Sequence, residues 1–249
     1  MSVLVARGIS VSYGGVHALS DVDLTVEPGQ LVGLIGPNGA GKTTFIDAVT
    51  GFTACRGQVL LDGRDLSGAP PQRRARAGLV RTWQSGDLFD DLSVGENLAV
   101  AADRHGWWGT LGRTLGRPSG MPSTVTASLA RVGLEPLADA APPDLSQGQR
   151  KLVGVARALA ADPKLICLDE PAAGLDTAES RRLGERLRAV ADAGTALLLI
   201  DHDMGLVLGI CDHVVVLEFG RVIAAGKPER IRTDPAVIAA YLGRSAVAS

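Results

Sequence analysis

The sequence predicts an α/β protein organised around a mainly parallel β-sheet, and three observations carry that expectation. Three short, uninterrupted apolar runs, Leu31–Ile35, 165–168 and Ala196–Ile200, have the length and continuity of strands buried on both faces. Helical periodicity fills the stretches between them, most clearly 177–193, where charges keep to one side. A glycine-rich turn leads out of the first run into a helix beginning near Lys42. Strands that alternate with helices in this way pair in parallel.

The remaining elements follow in order. Residues 3–27 alternate in short apolar pieces around Gly14-Gly15 and read as antiparallel strands. Another short strand spans 57–61, closed by the turn signal Asp62-Gly63. From about 90 to 160 the chain reads as helical, interrupted by a loop at 105–125. Segments 214–217 and 221–224, split by Gly220, read as a terminal hairpin.

With 249 residues and 46% hydrophobic content the chain can bury the core of one large domain. A net charge of −2 gives no electrostatic reason to expect nucleic acid as a partner. Cys55, Cys167 and Cys211 are far apart, fit no metal-ligand spacing, and suit a reducing compartment better than a disulfide framework. No stretch of about 18 uninterrupted apolar residues appears, and the first seven residues lack the pattern of a secretory signal. Were the function transport, the channel would belong to another chain.

Gly36-Pro37-Asn38-Gly39-Ala40-Gly41-Lys42-Thr43 fits the nucleotide-phosphate loop, and Thr44 continues it into the helix. Its context is the required one, a buried strand before and a helix after. Glycines let backbone N–H groups curl around phosphate oxygens, and the helix N-terminus adds favourable partial charge. Lys42 is expected to reach the β- and γ-phosphates, and the Thr43 hydroxyl to ligate Mg²⁺. This motif alone leaves kinases, GTPases and ATPases open.

The run 165–168 ends in Asp169-Glu170. Ligands of parallel sheets sit at the carboxyl ends of strands, so the pair can face the phosphates. Asp169 would hold Mg²⁺ and Glu170 would polarise the attacking water as general base. His202 follows the next run and could contact the γ-phosphate; His17, His105 and His213 have no comparable context.

Leu145-Ser146-Gln147-Gly148-Gln149 comes just before a helix and can present Ser146 and backbone N–H groups to an anion, though locally it is also an ordinary helix cap. Together with the phosphate loop and Asp169-Glu170, in this order and spacing, it resembles the nucleotide-binding subunit of ABC transporters, from Tyr13 to Gly243. The resemblance implies a P-loop NTPase core with a mainly parallel sheet, an antiparallel β subdomain and a helical signature subdomain at about 90–160. One ABC ATPase domain would span 3–243, with 244–249 a flexible tail. It further implies that Tyr13 stacks on adenine and that Gln84 touches Mg²⁺ and water. Ser146, Gly148 and Gln149 would bind the γ-phosphate of ATP held by the opposite subunit, and Ala173-Gly174-Leu175-Asp176 would link the subunits. His202 matches the family's switch histidine.

The implied machine is an ATP-dependent dimer, with itself or a similar ATPase, peripheral to the cytoplasmic face of the membrane. Its partners would be transmembrane permease subunits and, indirectly, an extracytoplasmic solute-binding protein. Asp169-Glu170-Pro171-Ala172-Ala173-Gly174-Leu175, Asp201-His202-Asp203-Met204, Ile210-Cys211-Asp212-His213-Val214 and the ending Ala240-Tyr241-Leu242-Gly243 resemble the ATPases of branched-chain amino acid importers. ATPases for urea or short amides, lipopolysaccharide-type exporters and, further off, soluble ATPases of iron–sulfur assembly are the alternatives. Leu88 and Phe89, within 85–98, are expected to anchor a permease helix. Residues 104–131, with Arg104, Arg113, Arg117, Arg131 and Trp107-Trp108, read as an insertion in the helical part or a loop near the membrane surface.

Overall fold

The computed structural model describes residues 2–82, 88–102 and 121–245, with side chains described through Tyr241. A four-stranded antiparallel sheet contains β1 (Leu4–Tyr13), β2 (Val16–Val26), β4 (Arg56–Leu61) and β5 (Arg64–Asp65), in the order β2-β1-β4-β5. Gly14-Gly15 turns β1 into β2, as the sequence predicts. A six-stranded sheet adds β3 (Leu31–Ile35), β6 (Leu79–Thr82), β7 (Leu165–Asp169), β8 (Ala196–Ile200), β9 (His213–Glu218) and β10 (Arg221–Gly226). Its order is β10-β9-β3-β8-β7-β6, parallel except for the terminal β9–β10 hairpin.

Every residue of β3, β7 and β8 is buried, because helices or the second sheet cover both faces. Alternate side chains therefore enter two cores. Val32, Leu34, Cys167, Leu198 and Ile200 join Phe45 and the antiparallel sheet on one face. Leu31, Ile35, Ile166, Leu168, Leu197 and Leu199 join the helical side on the other.

The helices are α1 (Lys42–Thr50), α2 (Pro71–Arg76), α3 (Val94–Ala102), α4 (Ser123–Val132), α5 (Gln147–Ala160), α6 (Thr177–Asp192), α7 (Met204–Ile210), α8 (Pro228–Thr233) and α9 (Pro235–Ser245). Helices α3, α4 and α5 pack together, placing Leu98, Leu129 and Val153 in the helical-side core. Gly51, at φ 87°, terminates α1, and the Arg74 guanidinium donates to the carbonyls of Ala48 (2.9 Å) and Val49 (2.7 Å) at that end.

Several expectations need adjustment. Helix α4 begins at Ser123, inside the stretch expected to be a loop, and residues 103–120 lie outside the described part. Elements α2, β6, α7, α8 and α9 were not anticipated, and α9 carries the helix two residues past Gly243, through Ser245. Among the described residues no helix is long and apolar enough to cross a membrane.

A candidate active site at the strand ends

Strands β3, β6, β7, β8 and β9 run parallel, so their carboxyl ends share one edge of the sheet. At the end of β3 the chain enters Gly36, whose φ of 151° and close approach to β9 exclude any side chain. A β-carbon there would lie 2.1 Å from the Leu217 carbonyl oxygen. The loop closes on itself through Ala40 N–H to Pro37 O (3.0 Å), and α1 starts with Phe45 N–H to Gly41 O (2.9 Å). Lys42 is buried, its ammonium donating to the carbonyls of Gly36 (2.7 Å) and Pro37 (3.1 Å). The cation thus sits in the middle of its own loop, where a phosphate would face it. Thr43 is exposed and Thr44 half-buried at the start of α1. Asn38, Gly39, Gly41, Lys42, Thr43, Thr44 and Glu170 line a cavity of about 560 Å³ together with Val16, His17, Ala18 and Phe219.

At the end of β7, Asp169 is buried and Glu170 half-buried. Glu170 adopts φ 47°, unusual for a non-glycine residue, and its N–H is tied to Ile200 O on β8 (2.8 Å). From this constrained position Glu170 lines the cavity. Asp169 Oδ2 accepts from Arg81 Nη2 (2.7 Å), and Arg81 Nη1 also bonds Asp47 on α1. Arg81 thereby ties the helix of the phosphate loop to the acidic strand. Its role is absent from the sequence-based expectations; the signal the sequence offers is a lone cation in a short strand reading Leu-Val-Arg-Thr. Asp169 Oδ1 is buried with no hydrogen-bond partner among the described residues. A buried carboxylate oxygen in that condition fits a cation, so the residues present suit Mg²⁺.

Asp201 closes β8 and is almost fully buried. Its Oδ2 accepts from Ala172 N–H (3.1 Å) and its Oδ1 from Asp203 N–H (3.0 Å). One carboxylate therefore holds the loops after both β7 and β8. His202 follows with a side chain 62% exposed, 3.6 Å from Asp201 Oδ1 and too far for a hydrogen bond. It stands at the expected strand end but outside the cavity lining. Burial pushes the thiol of Cys167, two residues before Asp169, up to about 12, so it stays protonated and inert.

Ser146 caps α5. Its hydroxyl accepts from Gln149 N–H (3.2 Å), while Gln149 Oε1 accepts from Ser146 N–H (2.8 Å), a complete capping box. Asp176 caps α6 in the same manner with Glu179. Gln147 lies over Gly174, where a β-carbon would be 2.5 Å from Gln147 Nε2. Ser146, Gly148 and Gln149 line a separate cavity of about 660 Å³ with α6, and none of its lining residues lines the phosphate-loop cavity.

Within one chain, then, Lys42, Thr43, Thr44 and Glu170 come together, and Ser146, Gly148 and Gln149 do not join them. Tyr13 is exposed at the end of β1, its hydroxyl 3.3 Å from Thr53 Oγ1, and also stands outside the cavity lining. Gln84, expected as a magnesium and water contact, lies outside the described residues. Of the two expected anchors, Phe89 is 54% exposed, whereas Leu88 packs against the helical-side core. Buried Asn97 pins that turn, accepting from Phe89 N–H (2.8 Å) and donating to Phe89 O (3.1 Å).

The ABC transporter family model matches residues 19–173, and a branched-chain amino acid ATP-binding cassette transporter model matches residues 221–247. The high-affinity branched-chain amino acid transport ATP-binding protein LivG of Escherichia coli K12 is 39% identical, the match covering 98% of each chain. Its counterpart BraF of Pseudomonas aeruginosa is also 39% identical with 98% coverage of both. The lipopolysaccharide export ATP-binding protein LptB of Haemophilus influenzae is 34% identical, again over 98% of both. Among solved structures, a nucleotide-free ATP-binding cassette from an ABC transporter superposes with a TM-score of 0.83 at 30% identity, over 97% of this chain and 99% of that one.

Proposed function

The chain belongs to the ABC transporter family as an ATP-binding, ATP-hydrolysing subunit that works with transmembrane permeases, and from that premise we propose that it powers uptake of branched-chain or closely related amino acids. The observation that carries the substrate class is the match of β10, α8 and α9 to a branched-chain model, beyond the general ABC match. The identity to LivG and BraF supports the same reading over nearly the whole length.

In this reading the loop from Gly36 to Thr44 holds the triphosphate, with Lys42 exchanging its bonds to loop carbonyls for phosphate oxygens. Glu170 takes a proton from water as the water oxygen attacks the γ-phosphorus, and the β–γ bridging oxygen leaves with ADP. Thr43, Asp169 and Gln84 would hold Mg²⁺, which when bound neutralises charge on the phosphates. Arg81 holds Asp169 in place, and Asp201 fixes the backbone that presents Glu170 and His202. Ser146, Gly148 and Gln149 meet the nucleotide of a second ATPase subunit, so the active assembly is a dimer with ATP between its halves. That dimer sits at the cytoplasmic face of the membrane, fed by an extracytoplasmic solute-binding protein.

Two experiments test this. Glu170→Gln is expected to bind ATP without hydrolysing it and to elute as a dimer in gel filtration; a monomer at saturating ATP would sink the sandwich. Tagged chain drawn from its native membrane in mild detergent is expected to bring two permeases and a binding protein that takes up leucine or valine. A single permease type with lipid-binding components would replace import with the export function of LptB.

A further inference from the structure

Five residues other than glycine have a positive φ among the described residues: Asp21, Asp62, Asp162, Glu170 and Phe219. Aspartate tolerates this conformation, and Glu170 is the candidate base. Phe219 remains unexplained. It occupies, with Gly220, the two-residue turn of the β9–β10 hairpin, where Glu218 pairs with Arg221 and the φ values are 45° and 75°. Such a turn favours asparagine or glycine at its first position, and an aromatic side chain there is strained. Burial does not offset the strain, since Phe219 is 74% exposed.

The location of the turn supplies a reason for the aromatic ring. Phe219 follows the carboxyl end of β9, the strand beside β3, on the same sheet edge as the phosphate loop and Glu170. The turn is fixed to that loop by Gly220 N–H to Ala40 O (3.0 Å) and to β2 by Ser20 N–H to Gly220 O (2.9 Å). Phe219 lines the cavity that contains Lys42 and Thr44, and Val16, also among its lining residues, is exposed too, at 69%. Two uncovered apolar side chains beside a phosphate cradle form a rim suited to the flat, weakly polar face of a nucleoside.

We propose that Phe219 is a nucleoside contact of this site, stacking on the base or ribose of the nucleotide whose phosphates lie on the loop in the same chain. This rests on the phosphate-loop reading. A strained residue held at a ligand rim by rigid strands follows a pattern in which strain is retained for binding.

The test compares ADP with inorganic pyrophosphate, which shares its phosphates and lacks the nucleoside, by calorimetric titration. Phe219→Asn, which suits the turn, is expected to bind ADP about tenfold more weakly, bind pyrophosphate as before, and unfold at a higher temperature. Phe219→Trp is expected to retain ADP affinity. Unchanged ADP binding in Phe219→Asn, or an equal loss of ADP and pyrophosphate, would overturn the proposal. So would unchanged ADP binding with loss of ATP-dependent dimerisation, which would turn Phe219 toward a second copy. Should the unaltered protein bind neither ADP nor pyrophosphate, the phosphate-loop reading itself falls, a result distinct from the others.

Discussion

The phosphate loop and the Ser146 end of α5 make opposite use of their hydrogen bonds. In the loop, Gly36 and Gly41 leave no room for a side chain, and Lys42 is folded back on the carbonyls of Gly36 and Pro37. The Ser146 end is locally complete, its serine and glutamine satisfying each other and the first turn of the helix. The first arrangement declares its ligand from within the chain. The second reads as an ordinary cap until another molecule is brought to it, which is why its meaning came from a family resemblance and not from geometry.

Substitutions can break or sharpen this contrast. The largest effect is expected from matched glycines. Gly36→Ala would drive a β-carbon to 2.1 Å from Leu217 O and should abolish nucleotide binding and lower the melting temperature sharply. Gly148→Ala meets only Glu179 at 3.5 Å and should leave the fold and ADP binding intact. If both variants behaved alike, the contrast would be lost. Next is Arg81→Met, which leaves Asp47 and buried Asp169 without their shared cation. A loss of about 3–5 kcal/mol in denaturant unfolding is expected, since breaking a buried pair strands its charge. Ser146→Ala should cost only about 1 kcal/mol in thermal unfolding, leave ADP affinity of the isolated chain unchanged, and prevent the ATP-dependent dimer of Glu170→Gln.

The smallest expected effect comes from the thiols. Burial pushes Cys167 up to about 12 and raises Cys211 as well, so in the folded chain both keep their protons where unfolded thiols lose theirs. Their contribution to stability therefore declines as pH rises through the ordinary thiol value of 9.0. The melting temperature should fall between pH 8 and 10, and less so in Cys167→Ala. In native protein an aromatic disulfide reagent should modify half-buried Cys55 before either of the others.

The sequence disclosed most where one physical signal dominated. Strands β3 and β8 have the expected limits because continuous apolar runs have few other uses in a protein of this size. Strand β6 is hidden in the sequence because it has four residues, one of them an arginine with a nearly buried side chain whose partners are 34 and 88 positions away. No local pattern encodes such a bridge. Helix α7 has seven residues, two of them glycine, and its periodicity is too short to stand out. Helices α8 and α9 carry a readable mark, Pro228 and Pro235 at their first positions. Gly36, Glu170 and His202 come just after the carboxyl ends of β3, β7 and β8, which the continuous apolar runs already marked in the sequence. The Asp201 clamp leaves no local mark in the sequence, because it depends on the parallel register that sets Asp169 beside Ile200.

The alternation of β3, β7 and β8 between two cores has a consequence for how the molecule opens. Each of these strands is a common wall, so solvent admitted to one side reaches residues whose neighbours support the other. The antiparallel half and the helical half should therefore come apart in one cooperative event. Amide hydrogens of Val32, Ile166 and Leu198 should exchange with deuterium last and at nearly the same rate, while those of β5 exchange far sooner.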